Sequence, residues 1–272
     1  MRRGAGQVPR DGGEDGRRAG VNAVEVAGAL LCILADAPGP LRLAEIARAA
    51  AMPSAKAHRY LVSLQRAGLA EQEPDTARYA LGPLMRRAGL AALGRSDTLK
   101  RAERALEGIV ARTGETAAAA VWGTHGPTHV RLVEARHDLA ATVPPGHVCP
   151  MTYSASGLVF CAWGEPAQVR PLAAREVAQG RAMGRPGVPR SMAELDRIAA
   201  AARARGFAAT DGEGDTGLAA VSVPVRATDG TLRMALTVFS RAGRLNTAAD
   251  GPVAALMRAA AAALEAELRD GT

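Results

Sequence analysis

Arg59 and Lys56 sit in a stretch, opening with Pro53-Ser54, whose residue types could meet a polyanion at helical spacing. At 100° per residue, Ala55, Arg59, Val62 and Arg66 share one side, flanked by Lys56 and Ser63, while Ala57, Leu61 and Leu64 occupy the other. A guanidinium at Arg59 has the fork geometry to bond guanine O6 and N7 together, whereas the Lys56 ammonium is a point charge suited to phosphate. This chemistry points to double-stranded DNA. The N-terminal part of such a helix is what reaches base edges, so the predicted contacts are Ser54, Ala55, Lys56, His58 and Arg59, with Arg66 further along.

Three elements must hold that helix in place. Apolar residues at Val24, Ala27, Leu30, Leu31 and Leu34 predict a helix over Val21 to Asp36, ended by Pro38-Gly39-Pro40. A second helix is expected from Leu43 to about Ala50, burying Leu43, Ile46, Ala47 and Ala50. Pro53 breaks the chain, and Ser54 is expected to cap the third helix. Leu69 to Glu73 and Arg78 to Leu81 then read as a hairpin around Pro74-Asp75-Thr76-Ala77. Helix, break, helix and hairpin in this order make a winged helix-turn-helix. Arg78 at the hairpin is expected to touch the DNA backbone, while Glu71, Glu73 and Asp75 would repel phosphates, so the wing positions and does not specify.

The remaining chain reads as a second domain. Residues 1–20, rich in Gly, Arg and acidic residues, predict a disordered tail. Residues 21–82 form the helix-turn-helix unit, 83–97 a helical connector and 98–272 the second domain. A helix over Thr98 to Thr113 is followed by strands at Thr116 to Trp122, Thr128 to Ala135 and Leu139 to Val143. Helices are expected at Ser154 to Trp163, with Ser154 as cap, at Pro166 to Gln179 and at Met192 to Arg205. Strands at Phe207 to Thr210, Leu218 to Arg226 and Leu232 to Phe239 and a closing helix from Ala249 to Leu268 complete an α+β fold around a mostly antiparallel sheet.

Composition narrows the setting. The 272 residues suffice for two cores, and the net charge of +7 suits a polyanionic partner. Cys32, Cys149 and Cys161 are odd in number and lack C-x-x-C spacing, which argues against a disulfide scaffold or zinc knuckle and for a reducing cytoplasm. No run is apolar for long enough to span a bilayer, and no signal peptide is legible.

The run Met52 to Leu61, then Leu64, Gly68-Leu69 and Arg78-Tyr79-Ala80-Leu81-Gly82, resembles the DNA-binding domain of IclR-type bacterial transcription regulators. The resemblance continues through Gly146, Pro150, Ser154-Ala155-Ser156-Gly157, Gly206-Phe207, Asp211, Glu213 and Gly217 to Val223-Pro224-Val225, Leu236-Thr237-Val238 and Arg244-Leu245. It implies a GAF-like effector-binding domain, a homodimer or tetramer, operator DNA as partner, and a small-molecule effector that is a carboxylate. It implies no cofactor. Carried over, Gly146 and His147 would offer backbone amides to the carboxylate, and Asp211, Ala220, Thr237 and Phe239 would stand in the pocket wall.

This chain departs from the family pattern where it matters for the ligand. Ala220 stands where members often carry cysteine, Thr237 and Phe239 where they often carry serine, and Leu158 where lysine usually follows Ser-x-x-Gly. A larger or less polar effector than glyoxylate or pyruvate, such as an aromatic acid, is expected. In the head, Ala51 replaces a common glycine, and a positive φ there would strain it by about 1 kcal/mol.

Rival readings are weaker. A hydrolase would pair Ser154 or Ser156 with His125, His129, His137 or His147, but no G-x-S-x-G elbow is present. A metal site would join His125, His129, His147 and Cys149, yet Gly126-Pro127 prevents the helix that the His spacing needs. No catalytic or metal-ligating residue is therefore assigned. A third alternative keeps the DNA-binding dimer and dispenses with the ligand. Two heads joined through the helix Thr98 to Thr113 would match half-sites ~34 Å or a multiple apart, and a ligand that alters their angle would alter affinity.

Overall fold

The computed structural model describes residues 20–37, 39–135, 144–212 and 217–270. Nearly all of the tail expected at 1–20, Pro38, His137, the strand expected at Leu139 to Val143, and Glu213 lie outside the described residues. The chain divides into two compact units, the first ending at Arg95 and the second beginning at Ser96.

The first unit comprises α1 (Asn22–Asp36), α2 (Leu43–Ala49), α3 (Ser54–Arg66), β1 (Ala70–Gln72), β2 (Tyr79–Leu81) and α4 (Pro83–Gly94). Leu30, Leu34, Ile46, Ala50, Leu61 and Leu64 meet Ala70 and Tyr79 in one core. Val24, expected in that core, is 68% exposed, and Val26 is buried instead. Val24 lies about 120° around the helix from Leu30, whereas Val26, Leu30 and Leu34 stack every four residues. Leu43 is only partly buried.

The break between α2 and α3 is a Schellman turn. Met52 N–H donates to the Ala47 carbonyl and Ala51 N–H to that of Arg48, with Ala51 at φ 51°. The positive φ anticipated for Ala51 is therefore present. Ser54 is not the cap: the cap position is Pro53, whose carbonyl accepts from Lys56 and Ala57, and Ser54 is already helical. β1 and β2 pair antiparallel, with Leu41 bridged to Tyr79 as a further short rung.

The second unit opens with α5 (Asp97–Thr113), capped by Ser96. Then follow β3 (Thr116–Gly123), β4 (Gly126–Val133), α6 (Ala155–Trp163), α7 (Pro166–Met183), α8 (Met192–Arg205), β5 (Ala208–Asp211), β6 (Leu218–Arg226), β7 (Leu232–Arg241) and α9 (Pro252–Asp270). The five strands form one antiparallel sheet in the order β4-β3-β7-β6-β5. α5 and α9 pack together against this sheet, and α6 packs on β4 to β7. β6 and β7 are buried on both faces because helices cover both. The hairpin joining them turns at Ala227 to Gly230.

α6 approaches its neighbours through Gly157. A Cβ at this position would lie 2.0 Å from the Pro150 carbonyl oxygen and 2.7 Å from Met151 Cα, so only glycine fits. Ser154 completes the junction: its hydroxyl donates to the Pro150 carbonyl and accepts from Gly157 N–H at 2.9 Å. From α7, the Glu176 carboxylate accepts from Met151 N–H at 2.8 Å and from both Thr152 donors. The Ser-x-x-Gly run is thus a packing device that fixes the first turn of α6.

Candidate nucleic-acid interface and effector site

On α3, Ala57, Leu61 and Leu64 are buried, and Ser54, Ala55, Lys56, His58, Arg59 and Arg66 are exposed, on the faces that helical periodicity assigns them. Among the described residues, the side chains of Lys56, His58, Arg59 and Arg66 have no hydrogen-bond or ion partner in their own unit. An exposed helix presenting two arginines, a lysine and a histidine can be desolvated against phosphates and base edges without breaking any internal contact.

The wing behaves differently from expectation. Arg78 turns inward: Nη1 donates to the Pro40 carbonyl at 3.0 Å and lies 3.7 Å from Glu45, so the side chain ties the wing to the segment before α2. Glu71 is held by Arg86 of α4 at 2.7 Å, and this bond lowers its pKa. Glu73 accepts from the Thr76 hydroxyl at 2.6 Å. Two of the three acids expected to repel phosphate are thereby engaged within the unit.

In the second unit the predicted wall residues divide into two groups. Ala220 and Phe239 are directly opposed on β6 and β7 and pack with Ala118 and Ala155. Thr237 opposes Ser222 on the same face. Asp211 instead lies at the exposed end of β5, where its carboxylate accepts from Gly243 N–H at 2.7 Å. The expected amide donors are also occupied. Gly146 N–H donates to the His129 carbonyl at 2.7 Å and His147 N–H to that of Pro144 at 3.1 Å. Their segment docks along β4 as an added rung, with Thr128 bridged to Val148, so that β4 takes the Gly146 amide and the segment's own turn takes that of His147.

The residues that do converge were only partly foreseen. His129, 5% exposed, places Nε2 3.3 Å from Ser156 Oγ. Ser156 Oγ is 2.8 Å from Thr237 Oγ1, which is 2.8 Å from Ser222 Oγ. The imidazole stacks on Phe239 at 6.1 Å and 10°, with the His147 ring 5.9 Å away. Burial, reinforced by the neighbouring His147, pushes the His129 pKa down to about 4, so the ring is neutral at pH 7. Burial pushes the Cys149 thiol up to about 12, so it stays protonated. The parity of His129 along β4 was the available signal; its connection to Ser156 and Ser222 required the register.

This Ser–His pair is not arranged for hydrolysis. Among the described residues Nδ1 of His129 has no carboxylate partner, and the Ser156 hydroxyl, 3% exposed, is already bonded to Thr237. Among the described residues, no group of three His, Cys, Asp or Glu side chains could hold a metal ion. A separate surface cleft of about 410 Å³, lined by Trp122, Phe160, Trp163 and the turn 229–231, shares none of the predicted effector residues.

Comparison with known proteins covers both units. Residues 23–74 match the IclR helix-turn-helix domain, and residues 90–266 match the family described as bacterial transcriptional regulator IclR C-terminal. The glycerol operon regulatory protein of Streptomyces griseus is 32% identical over 211 residues, 75% of this chain and 79% of that one. An IclR transcriptional regulator from Alicyclobacillus acidocaldarius has a TM-score of 0.76 at 24% identity, with 91% of this chain and 99% of that chain covered. An IclR homologue from Microbacterium hydrocarbonoxydans, solved with 4-hydroxybenzoate, has a TM-score of 0.69 at 21% identity, covering 90% of this chain and 98% of that one.

Proposed function

We propose that this chain, which belongs to the IclR family of bacterial transcription regulators, controls transcription through an operator affinity set by a small aromatic acid. The observation that carries the DNA half is the exposed face of α3, where Ser54, Ala55, Lys56, His58 and Arg59 stand clear of the core. Arg59 reads a base and Lys56 and Arg66 hold phosphates. Arg78 is left out of the contact set, because its bonds to Pro40 and Glu45 belong to the head's own fold.

The apolar wall of Ala118, Ala155, Ala220 and Phe239 supports an aromatic body for the effector. That a relative of the same fold was solved with 4-hydroxybenzoate supports the same class. Two copies acting together would present two α3 helices to half-sites ~34 Å or a multiple apart. The face of α5 invoked for joining the heads is buried in its own unit through Leu99, Ala102, Leu106 and Ile109. α4 buries no residue, and Leu90 is 72% exposed on it, so pairing of copies is better placed there. The effector acts by binding the DNA-competent and incompetent arrangements unequally.

The test is recovery of genomic fragments by the purified chain, followed by gel shifts with aromatic and short-chain acids. A few promoters and an aromatic acid that changes operator affinity are expected. Modulation by glyoxylate or pyruvate and by no bulkier acid would contradict the effector class.

A further inference from the structure

We infer that His129 carries its proton on Nδ1 and presents it to an acceptor oxygen of the effector, with the tautomer set by a hydroxyl relay through Ser222, Thr237 and Ser156. The ligand in this statement rests on the effector reading above; the tautomer does not. Nδ1 is the one buried side-chain nitrogen or oxygen among the described residues that has no partner. Such a group calls for an explanation, because nearly all buried polar atoms are bonded.

Counting protons gives the direction of the relay. Each hydroxyl can donate once and can accept twice. Ser222 Oγ is fully buried, and Thr237 is its one side-chain partner among the described residues. If Nε2–H donated to Ser156, one hydroxyl proton would be stranded among the described residues: that of Ser222 if Ser156 donated outward through Thr237, or that of Ser156 itself if it accepted from Thr237 as well, since no other oxygen or nitrogen side chain is bonded to it. Run the other way, Ser222 donates to Thr237, Thr237 to Ser156, and Ser156 to a bare Nε2. Every hydroxyl proton then has an oxygen or nitrogen to receive it. The ring proton is displaced to Nδ1, where no acceptor waits among the described residues.

Stacking on Phe239 keeps the imidazole from turning that donor elsewhere. Since the amides of Gly146 and His147 are spent on β4 and on Pro144, this N–H replaces them as the donor to a carboxylate oxygen. A neutral donor beside an aromatic ring suits an acid whose apolar body lies on Phe239 and the neighbouring alanines. Ser156, Thr237 and Ser222 are positioning residues, acting on the ligand through the ring.

Nitrogen-15 NMR of the full chain with labelled imidazoles tests the tautomer, and benzoate titration tests its use. At pH 7 the proton is expected on Nδ1, and Thr237→Val, which keeps the volume and breaks the relay, is expected to shift it toward Nε2. His129→Asn, whose amide reaches the Nδ1 position, should hold benzoate within about threefold of the parent. His129→Gln, which mimics Nε2, should lose about tenfold or more. A proton on Nε2 in the parent chain, or equal benzoate affinity for the two variants, overturns the inference and leaves the effector reading standing. If neither benzoate nor any other acid binds the parent, the effector reading and the ligand contact fail together, and the nitrogen-15 spectrum alone decides the tautomer.

Discussion

On α3 the side chains of Lys56, His58 and Arg59 stand in solvent with no partner among the described residues, whereas between the sheet of the second unit and α6, His129, Ser156, Ser222 and Thr237 are sealed in and bonded to one another. The first set can be exchanged with little effect on folding, because nothing inside depends on it. The second set is part of the core, and its chemistry cannot be altered without altering packing and buried polar satisfaction. A regulator built this way can change its operator preference by surface substitution. Its ligand preference is tied to the stability of the domain that senses it.

The hardest test of that contrast is Gly157→Ala. Its Cβ would collide with the backbone of Pro150 and Met151, so the second unit should lose about 3 kcal/mol or more. Unfolding followed by probes in each unit should show the loss confined to the second, with the helices of the head unaffected. Acid should sharpen the contrast next. The folded pKa of His129 lies below its ordinary 6.5, at about 4. An unfolded chain therefore binds a proton that the folded one refuses, and the contribution present above pH 6.5 is lost as pH falls toward 4. The difference corresponds to about 3 kcal/mol, and a denaturant series over this range should show the dependence weakened by that amount in His129→Gln, with the share of His147, also lowered by burial, remaining.

Within the head, Ala51→Gly removes the cost of a left-handed alanine in the turn before α3 and should stabilise that unit by about 1 kcal/mol. Thermal unfolding with the second unit as internal reference checks it, and destabilisation would mean that the turn does not need φ 51°. Lys56→Ala should leave stability unchanged and weaken every duplex alike by a few-fold, with the slope of log K against log salt reduced by about 0.9. A sequence-dependent loss would make Lys56 a base reader.

The same contrast explains what could be read from the residues in order. The two faces of α3 were legible because burial there follows a single helical period through Ala57, Leu61 and Leu64. Strand limits at Leu218–Arg226 and helix limits at Met192–Arg205 were legible from their bounding turns and caps. Val26 was missed because an apolar residue at Val24 offers an equally good start to the stripe. The bond of Arg78 to Pro40 was not legible because the two are brought together only when Leu41 pairs with Tyr79. Likewise the amide of Gly146 is spent only when its segment docks on β4, and that of His147 when the segment turns back on Pro144. The His129 network spans β4, α6, β6 and β7, and no local pattern links residues so far apart.

Arg59→Ala gives the most direct test that the outer face of α3 reads sequence. Competition gel shifts would compare its affinity for a recovered operator and for random duplex with that of the parent. The account predicts a loss of about 1–3 kcal/mol on the operator, relaxed preference at one position, and a much smaller change on random DNA. Equal losses on both would contradict it.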